Sequence, residues 1–264
     1  MSPYRQHLPQ LDGGLFLNDA GLETDLIFNH GIDIPEFAAH TLFDGGQGQT
    51  ALRQYMEGFL TLARDTGAGF VLDTQTWRAQ SRFCEGLAQD AAAEAQRYHS
   101  EQLGWLAETD VDMVTALTFT QADEAIGVVR AADELGLPVV VSFTVETDGN
   151  LPTGQSLAEA IAMVDDATNS AAAYYMVNCA HPDHFSGRMK DEAWSHRIRG
   201  IRCNASRMSH AELDESLVLD DGDPVELAAD YSNLKQAMPW LNVFGGCRGS
   251  DLRHVSAIAA AVGG

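Results

Sequence analysis

Lysine is almost absent from this sequence, and basic residues as a whole are few. Lys190 and Lys235 are the only lysines, and 16 basic residues stand against 38 acidic ones, for a formal net charge of -22 at pH 7. A surface of that sign repels phosphate backbones and anionic lipid headgroups. We therefore expect neither a nucleic-acid partner nor a membrane partner, and we interpret the charge as an aid to solubility.

Long hydrophobic runs and closely spaced cysteines are also missing. No apolar stretch approaches the roughly 18 residues that a membrane helix needs, and residues 1–7 lack the apolar core of a secretory signal. The cysteines Cys84, Cys179, Cys203 and Cys247 are widely spaced, which is typical of reduced thiols rather than of a disulfide framework. The sequence predicts a cytoplasmic protein whose thiols are free to bind a ligand.

The chain has 264 residues, 45% of them hydrophobic, and this is enough for one large core. No linker, low-complexity stretch or repeat divides it, so we expect a single domain over residues 1–264. Short apolar runs alternate with longer amphipathic stretches, a pattern typical of βα units around a parallel sheet. Seven strands are predicted, at residues 15–20, 70–74, 113–118, 138–146, 173–179, 198–205 and 241–247.

Helices are predicted between these strands, and one expected strand is missing. Helical spacing of apolar residues predicts a helix around residues 52–63, and others at residues 86–108, 121–135, 156–169, 224–237 and 250–262. The stretch between the second and third strands has no β-branched run that could form another strand. Since an eight-stranded barrel needs one more, we predict an α/β fold of (β/α)8 TIM-barrel type with one βα element missing or replaced. Closure with seven strands, a substitute segment and an open sheet are all compatible with the sequence.

Cys179 and Cys247 each follow a predicted buried strand directly. The carboxyl ends of parallel strands are where barrel proteins place their chemistry, and thiolates bind zinc tightly. The sequence therefore predicts a catalytic zinc site with Cys179 and Cys247 as its ligands.

Four ordered motifs carry a resemblance to a known family. They lie at residues 17–26 (LNDAGLETDL), 177–179 (VNC), 204–206 (NAS) and 245–249 (GGCRG). Together they resemble the homocysteine S-methyltransferase family over nearly the whole chain. The resemblance implies a zinc-dependent barrel that transfers a methyl group to the thiol of homocysteine and gives methionine. Its partners would be this small thiol and a donor such as S-methylmethionine, S-adenosylmethionine or betaine; the sequence leaves the oligomeric state open.

The resemblance also implies roles for individual residues. Those that would shape the amino-acid pocket are Asp19, Gly21, Glu23 and Thr24, and those that would lie close to the metal are Asn178, Asn204, Gly245 and Gly246. Thr74, at the end of the second strand, is expected to line the pocket, and Trp77 is expected either to stack on a ligand or to pack in the core. Zinc would remove the proton of the substrate thiol, since a free thiol with a pKa of about 8.5 is mostly protonated at neutral pH.

Three features depart from the family pattern. Arg248 stands where a second adjacent cysteine is usual, and a guanidinium cannot bind a metal ion. Leu117 stands where a glutamate is common, and the missing strand is the third departure. An alternative is therefore open, in which the chain is a degenerate, non-catalytic relative with a binding or regulatory role.

Other ligands could replace the missing cysteine. His181 and His184 follow Cys179 closely, although loop histidines are more often solvated. Strand alternation turns Cys203 away from the face that carries Asn204, which favours a buried structural role for this thiol. Cys84 has no partner motif, and we interpret it as an ordinary buried or surface thiol.

Overall fold

Seven parallel strands form one sheet in this protein. The computed structural model describes residues 3–35, 39, 42, 46–73 and 91–263. In this part of the chain the strands are β1 (Phe16–Leu17), β2 (Gly69–Phe70), β3 (Val114–Phe119), β4 (Val139–Phe143), β5 (Tyr174–Asn178), β6 (Ile198–Cys203) and β7 (Val243–Gly246). Each lies inside a predicted strand or within one residue of it, so all seven predictions are confirmed.

The order of the described strands leaves β2 and β3 unpaired with each other. Neighbouring strands pair in parallel in the order β2-β1-β7-β6-β5-β4-β3. This is the circular order of a (β/α) barrel with one interruption, between β2 and β3. The interruption coincides with the stretch that carries no strand signal. The predicted fold, a TIM-barrel type with one element missing, is therefore confirmed for the described residues.

Helices follow the strands in alternation. They are α1 (Leu22–Thr24), α2 (Gly46–Thr66), α3 (Ala91–Ala107), α4 (Ala122–Glu134), α5 (Leu157–Thr168), α6 (Pro182–Phe185), α7 (His210–Glu215), α8 (Pro224–Ala237) and α9 (Leu252–Val262). The predicted helix at residues 86–108 is confirmed from Ala91, and residues 86–90 lie outside the described part. None of the described helices has both the length and the apolarity needed to cross a membrane.

Local sequence signals explain where these helices begin and which side they bury. The Asp223 carboxylate accepts hydrogen bonds from the backbone N–H groups of Val225 (2.7 Å) and Glu226 (3.1 Å), so it caps α8. Ser156 and Glu159 form a reciprocal capping box at α5. On α2, buried apolar residues recur every three or four positions, as one helix face requires. This face consists of Leu52, Tyr55, Phe59 and Ala63, and Ala51 is buried beside Leu52.

Helix α3 lies beside α4, the helix that follows β3. The two helices approach so closely at Gly127 that a Cβ atom there would lie 2.5 Å from the Ala95 Cβ and 2.7 Å from the Ala92 carbonyl oxygen. Gln96 also donates a hydrogen bond to the Glu134 carboxylate at 2.8 Å. The long helical stretch in the sequence is therefore anchored by a neighbouring helix of the same protein.

Candidate active site

The thiols of Cys179 and Cys247 meet at the carboxyl ends of β5 and β7, which flank β6. Both are free and partly buried, and each shifts the pKa of the other. The interaction with Cys247 lowers the pKa of Cys179 to about 7, against the opposing effect of burial. The interaction with Cys179, together with burial, raises the pKa of Cys247. One thiol of the pair is thus acidic, and the other retains its proton.

The backbone of Cys179 adopts the left-handed conformation, with φ of 57°. A non-glycine residue is uncommon there and needs support from its surroundings. The Cys179 carbonyl oxygen accepts hydrogen bonds from His210 Nε2 at 2.6 Å and from Asn204 Nδ2 at 2.8 Å. His210 also lies 3.4 Å, through Nδ1, from the Glu146 carboxylate. These contacts hold the peptide that directs the Cys179 thiol.

Asn178 connects three strands behind this thiol. Its Nδ2 donates to the Cys179 sulfur at 3.1 Å and to Thr118 Oγ1 at 2.7 Å. Its Oδ1 accepts from the Thr118 backbone N–H at 3.0 Å and from Ser142 Oγ at 2.6 Å. Every polar group of this buried amide is therefore used, and its orientation is fixed.

The glycines of the two longest motifs allow the chain segments that carry them to touch. A Cβ atom on Gly245 would lie 2.6 Å from the Asn18 Cβ, and one on Gly21 would clash with the Cys247 carbonyl oxygen. Thr24 Oγ1 donates to the Gly21 carbonyl oxygen at 2.9 Å and accepts from the Gly249 N–H at 3.2 Å. Gly21 and Thr24 of the first motif thus lie directly against the turn that carries Cys247. Gly246 faces the same constraint, because a Cβ there would clash with Ser250.

A buried arginine that the sequence analysis did not identify lies beside the thiols. Arg202 Nη2 donates to the Asp19 carboxylate at 2.6 Å, Nε donates to the Gly246 carbonyl oxygen at 3.1 Å, and Nη1 binds the Asp73 carboxylate. Burial raises the pKa of Asp19 to about 7, against the lowering effect of Arg202. Burial also raises the pKa of the nearby Glu23. The sequence did contain a signal for this residue. A charged side chain within a predicted buried strand must have a charged or polar partner.

Arg248 points away from the thiols. Its Nη1 donates to the Asp214 carboxylate at 3.0 Å, and its Nη2 donates to the Leu213 carbonyl oxygen. The side chain therefore ties the turn after β7 to the end of α7, the helix that carries His210. Leu117, on β3, is partly buried and offers no polar group.

Within the described residues, one group of three side chains could hold a metal ion, and it does not include the cysteine pair. This group is His181, Asp183 and Asp230. Arg207 already provides a positive charge there, since its Nε lies 2.7 Å from Asp183 and its Nη2 3.7 Å from Asp230. Burial lowers the pKa of His181 to about 4, and its Nδ1 accepts a hydrogen bond from the Asp183 N–H. His181 is thus a buried helix cap, whereas the sequence favoured a solvated loop residue.

The donor set beside β6 fits zinc with two protein ligands. Two thiols supply the soft sulfur atoms that zinc prefers, and the effect of each on the pKa of the other indicates that they lie near one another. Burial raises the pKa of Cys203 to about 12, and its backbone N–H donates to the Tyr231 hydroxyl at 2.7 Å, so its surroundings suit a structural thiol. Thr74, Trp77 and Cys84 lie outside the described residues.

One of the comparisons with known proteins found a matching family. The model of the family described as homocysteine S-methyltransferase matches residues 49–262, which is more than half of the chain. The matched range contains β2 to β7 and both site cysteines. No match was found among curated proteins.

Proposed function

Because the chain belongs to the homocysteine S-methyltransferase family, we propose that it transfers a methyl group to the thiol of homocysteine or of a similar small thiol. With homocysteine the product is methionine. The thiolate sulfur forms the new bond to the methyl carbon, and the bond from that carbon to the donor breaks, so that the donor leaves with the electron pair. The observation that carries this proposal is the pair of neighbouring thiols, Cys179 and Cys247, at the carboxyl ends of β5 and β7.

Zinc is the proposed cofactor, held by Cys179 and Cys247. When bound, zinc supplies a Lewis acid that keeps the substrate thiol deprotonated at neutral pH. Asn178 orients the Cys179 sulfur through the hydrogen bond from its amide. Arg202 contributes a fixed positive charge near both thiols, and Asp19 and Asp73 balance that charge.

The proposed substrate pocket lies between the first motif and the strand ends. It contains two carboxyl groups, from Asp19 and Glu23, and one guanidinium group, from Arg202. This excess of acidic groups suits the ammonium group of an amino acid. The residues proposed to shape it are Asp19, Gly21, Glu23, Thr24, Asn178, Asn204, Gly245 and Gly246. Thr74 is included because the sequence places it at the end of the second predicted strand. Because two reduced thiols are needed, the proposed location is the reducing cytoplasm.

Methyl transfer can be tested directly. The purified protein is incubated with homocysteine and, in turn, with S-methylmethionine, S-adenosylmethionine or betaine, and methionine is measured by mass spectrometry. We expect methionine with at least one donor, and its loss in Cys179→Ala and Cys247→Ala. Cys203→Ala, which removes a thiol outside the pair, is expected to keep the activity.

The alternative, a non-catalytic relative, predicts a different outcome. In that case no donor gives methionine above the background of protein-free mixtures. Equal activity of Cys247→Ala and the unchanged protein would also contradict the proposed site, because methyl transfer would then not need the thiol pair.

A further inference from the structure

Thr118 adopts a backbone conformation that its side chain disfavours. Its φ is 65°, in the left-handed region. In the described chain three other non-glycine residues share this region; two of them, Asn169 and Ser170, end helix α5, and the third is Cys179. A β-branched residue is a pronounced outlier there, because its Cβ substituents crowd the backbone. Such outliers persist only where the surrounding structure holds them.

A local irregularity in β3 produces this conformation. The pairing of β3 with β4 shifts register between Ala116 and Phe119, so the strand bulges at Leu117 and Thr118. Phe119 returns to the core, whereas the Thr118 side chain is exposed at the carboxyl end of the sheet. Bulges commonly redirect a side chain in this way.

The Asn178 amide holds Thr118 at two points. It accepts a hydrogen bond from the Thr118 backbone N–H at 3.0 Å and donates one to Thr118 Oγ1 at 2.7 Å. Since Oγ1 accepts from Asn178, its own hydrogen remains available. The Cys179 sulfur lies 3.8 Å from Oγ1, within the range of a weak hydrogen bond to sulfur.

We propose that Thr118 is a positioning residue of the thiol site, whose strained backbone places its hydroxyl against the Cys179 sulfur. The role of Thr118 in methyl transfer rests on the proposed function. The backbone strain at Thr118 does not depend on the proposed function, and it can be measured separately. The residue acts through Cys179 and is not required to touch the substrate.

The hydroxyl is tested with two substitutions of similar size. Thr118→Val keeps the branched shape and removes the hydroxyl, whereas Thr118→Ser keeps the hydroxyl. We expect Thr118→Val to lower kcat about tenfold, the size expected for one lost hydrogen bond. The KM for the methyl donor should stay unchanged, zinc affinity by chelator competition should fall, and Thr118→Ser should restore most of both properties. Equal kcat and zinc affinity in Thr118→Val and the unchanged protein would overturn the proposal.

The strain is tested by stability, without zinc, substrate or donor. Thr118→Gly and Thr118→Ala both lack the hydroxyl, but only glycine adopts a positive φ freely. We expect Thr118→Gly to have the higher denaturation midpoint, although alanine is usually the more stabilising of the two. Ser170→Gly and Ser170→Ala form the matched control at another residue with a positive φ. There too the glycine variant should be the more stable one, and zinc affinity should stay unchanged. A Thr118→Ala variant as stable as Thr118→Gly would overturn the strained placement.

Failure of the proposed function gives a different pattern of results. If the unchanged protein produces no methionine, methyl transfer is rejected, while zinc affinity and the stability order still decide the role of Thr118. If the unchanged protein is active and Thr118→Val matches it, only the inference about Thr118 is rejected.

Discussion

A cysteine reacts and binds metal ions as a thiolate, so the reactivity of this site depends on where its protons lie. Cys179, with its pKa lowered to about 7 by its interaction with Cys247, is about half deprotonated at neutral pH. Cys247 keeps its proton in the same arrangement. Binding of zinc must therefore release a proton from this second thiol, which makes metal affinity dependent on pH.

The burial of Asp19 predicts a pH effect on stability. Burial raises the pKa of Asp19 from 3.8 to about 7, so the folded protein keeps this proton at pH values where the unfolded chain has lost it. The contribution of Asp19 to stability is then greatest below pH 4 and declines as the pH rises through this window. Compared with Asp19→Asn, the unchanged protein should lose stability between pH 4 and 7 in urea denaturation. Parallel pH profiles of the two proteins would show that the pKa of Asp19 is not raised.

Sequence reasoning identified the site residues that carry a local signal in the sequence. It missed residues whose role depends only on contacts made in the folded protein. Cys179 and Cys247 were identifiable because each follows a hydrophobic strand. Arg202, Thr118 and His210 were not, since their contacts with the thiol site come from other strands and loops. The strain at Thr118 in particular arises from a register shift that no local pattern encodes.

At the scale of elements, the close contact of α3 with α4 predicts that two glycine-to-alanine substitutions change the stability of the protein in opposite directions. Gly127→Ala places a methyl group 2.5 Å from the Ala95 Cβ, so we expect a loss of about 1–3 kcal/mol from overpacking. Gly104→Ala, on α3, meets nothing within 4 Å and should stabilise the protein by about 0.5–1 kcal/mol. Chemical denaturation measures both. Equal effects of the two substitutions would show that the helices do not meet at Gly127.

The elements themselves were largely predictable. Strands β4 and β5 are short runs rich in β-branched or aromatic residues between turns, and helix boundaries followed caps such as Asp223. The lengths of β1 and β2 were not predictable, because both are two residues long where five or six were expected. Strand length depends on pairing with neighbours, and β2 has one paired neighbour among the described strands.

At the scale of the whole molecule, the charge predicts how a donor approaches. A net charge of -22 attracts cations, and dissolved salt screens that attraction beyond about 10 Å at 0.1 M. With a cationic sulfonium donor, kcat/KM should therefore fall as sodium chloride rises from about 20 to about 300 mM, a range over which the screening length shortens markedly. Betaine, which carries both charges, is the matched control and should show a weaker dependence. The same dependence for both donors would contradict electrostatic steering.

We propose that the described elements form a single domain, because one sheet carries both ends of the described chain: β1 pairs with β7. The first motif and the turn after β7 complete the site together, although more than 200 residues separate Thr24 from Gly249, which hydrogen-bond to each other. The site therefore depends on the whole fold. The two thiols should separate at the same point at which the protein unfolds.

The most direct test is the zinc content of the protein purified without chelators, measured by elemental mass spectrometry beside Cys247→Ala and Cys203→Ala. A site formed by Cys179 and Cys247 predicts close to one zinc per chain in the unchanged protein and in Cys203→Ala, and almost none in Cys247→Ala. Absence of zinc from the unchanged protein, or its full retention in Cys247→Ala, would contradict the proposed metal site.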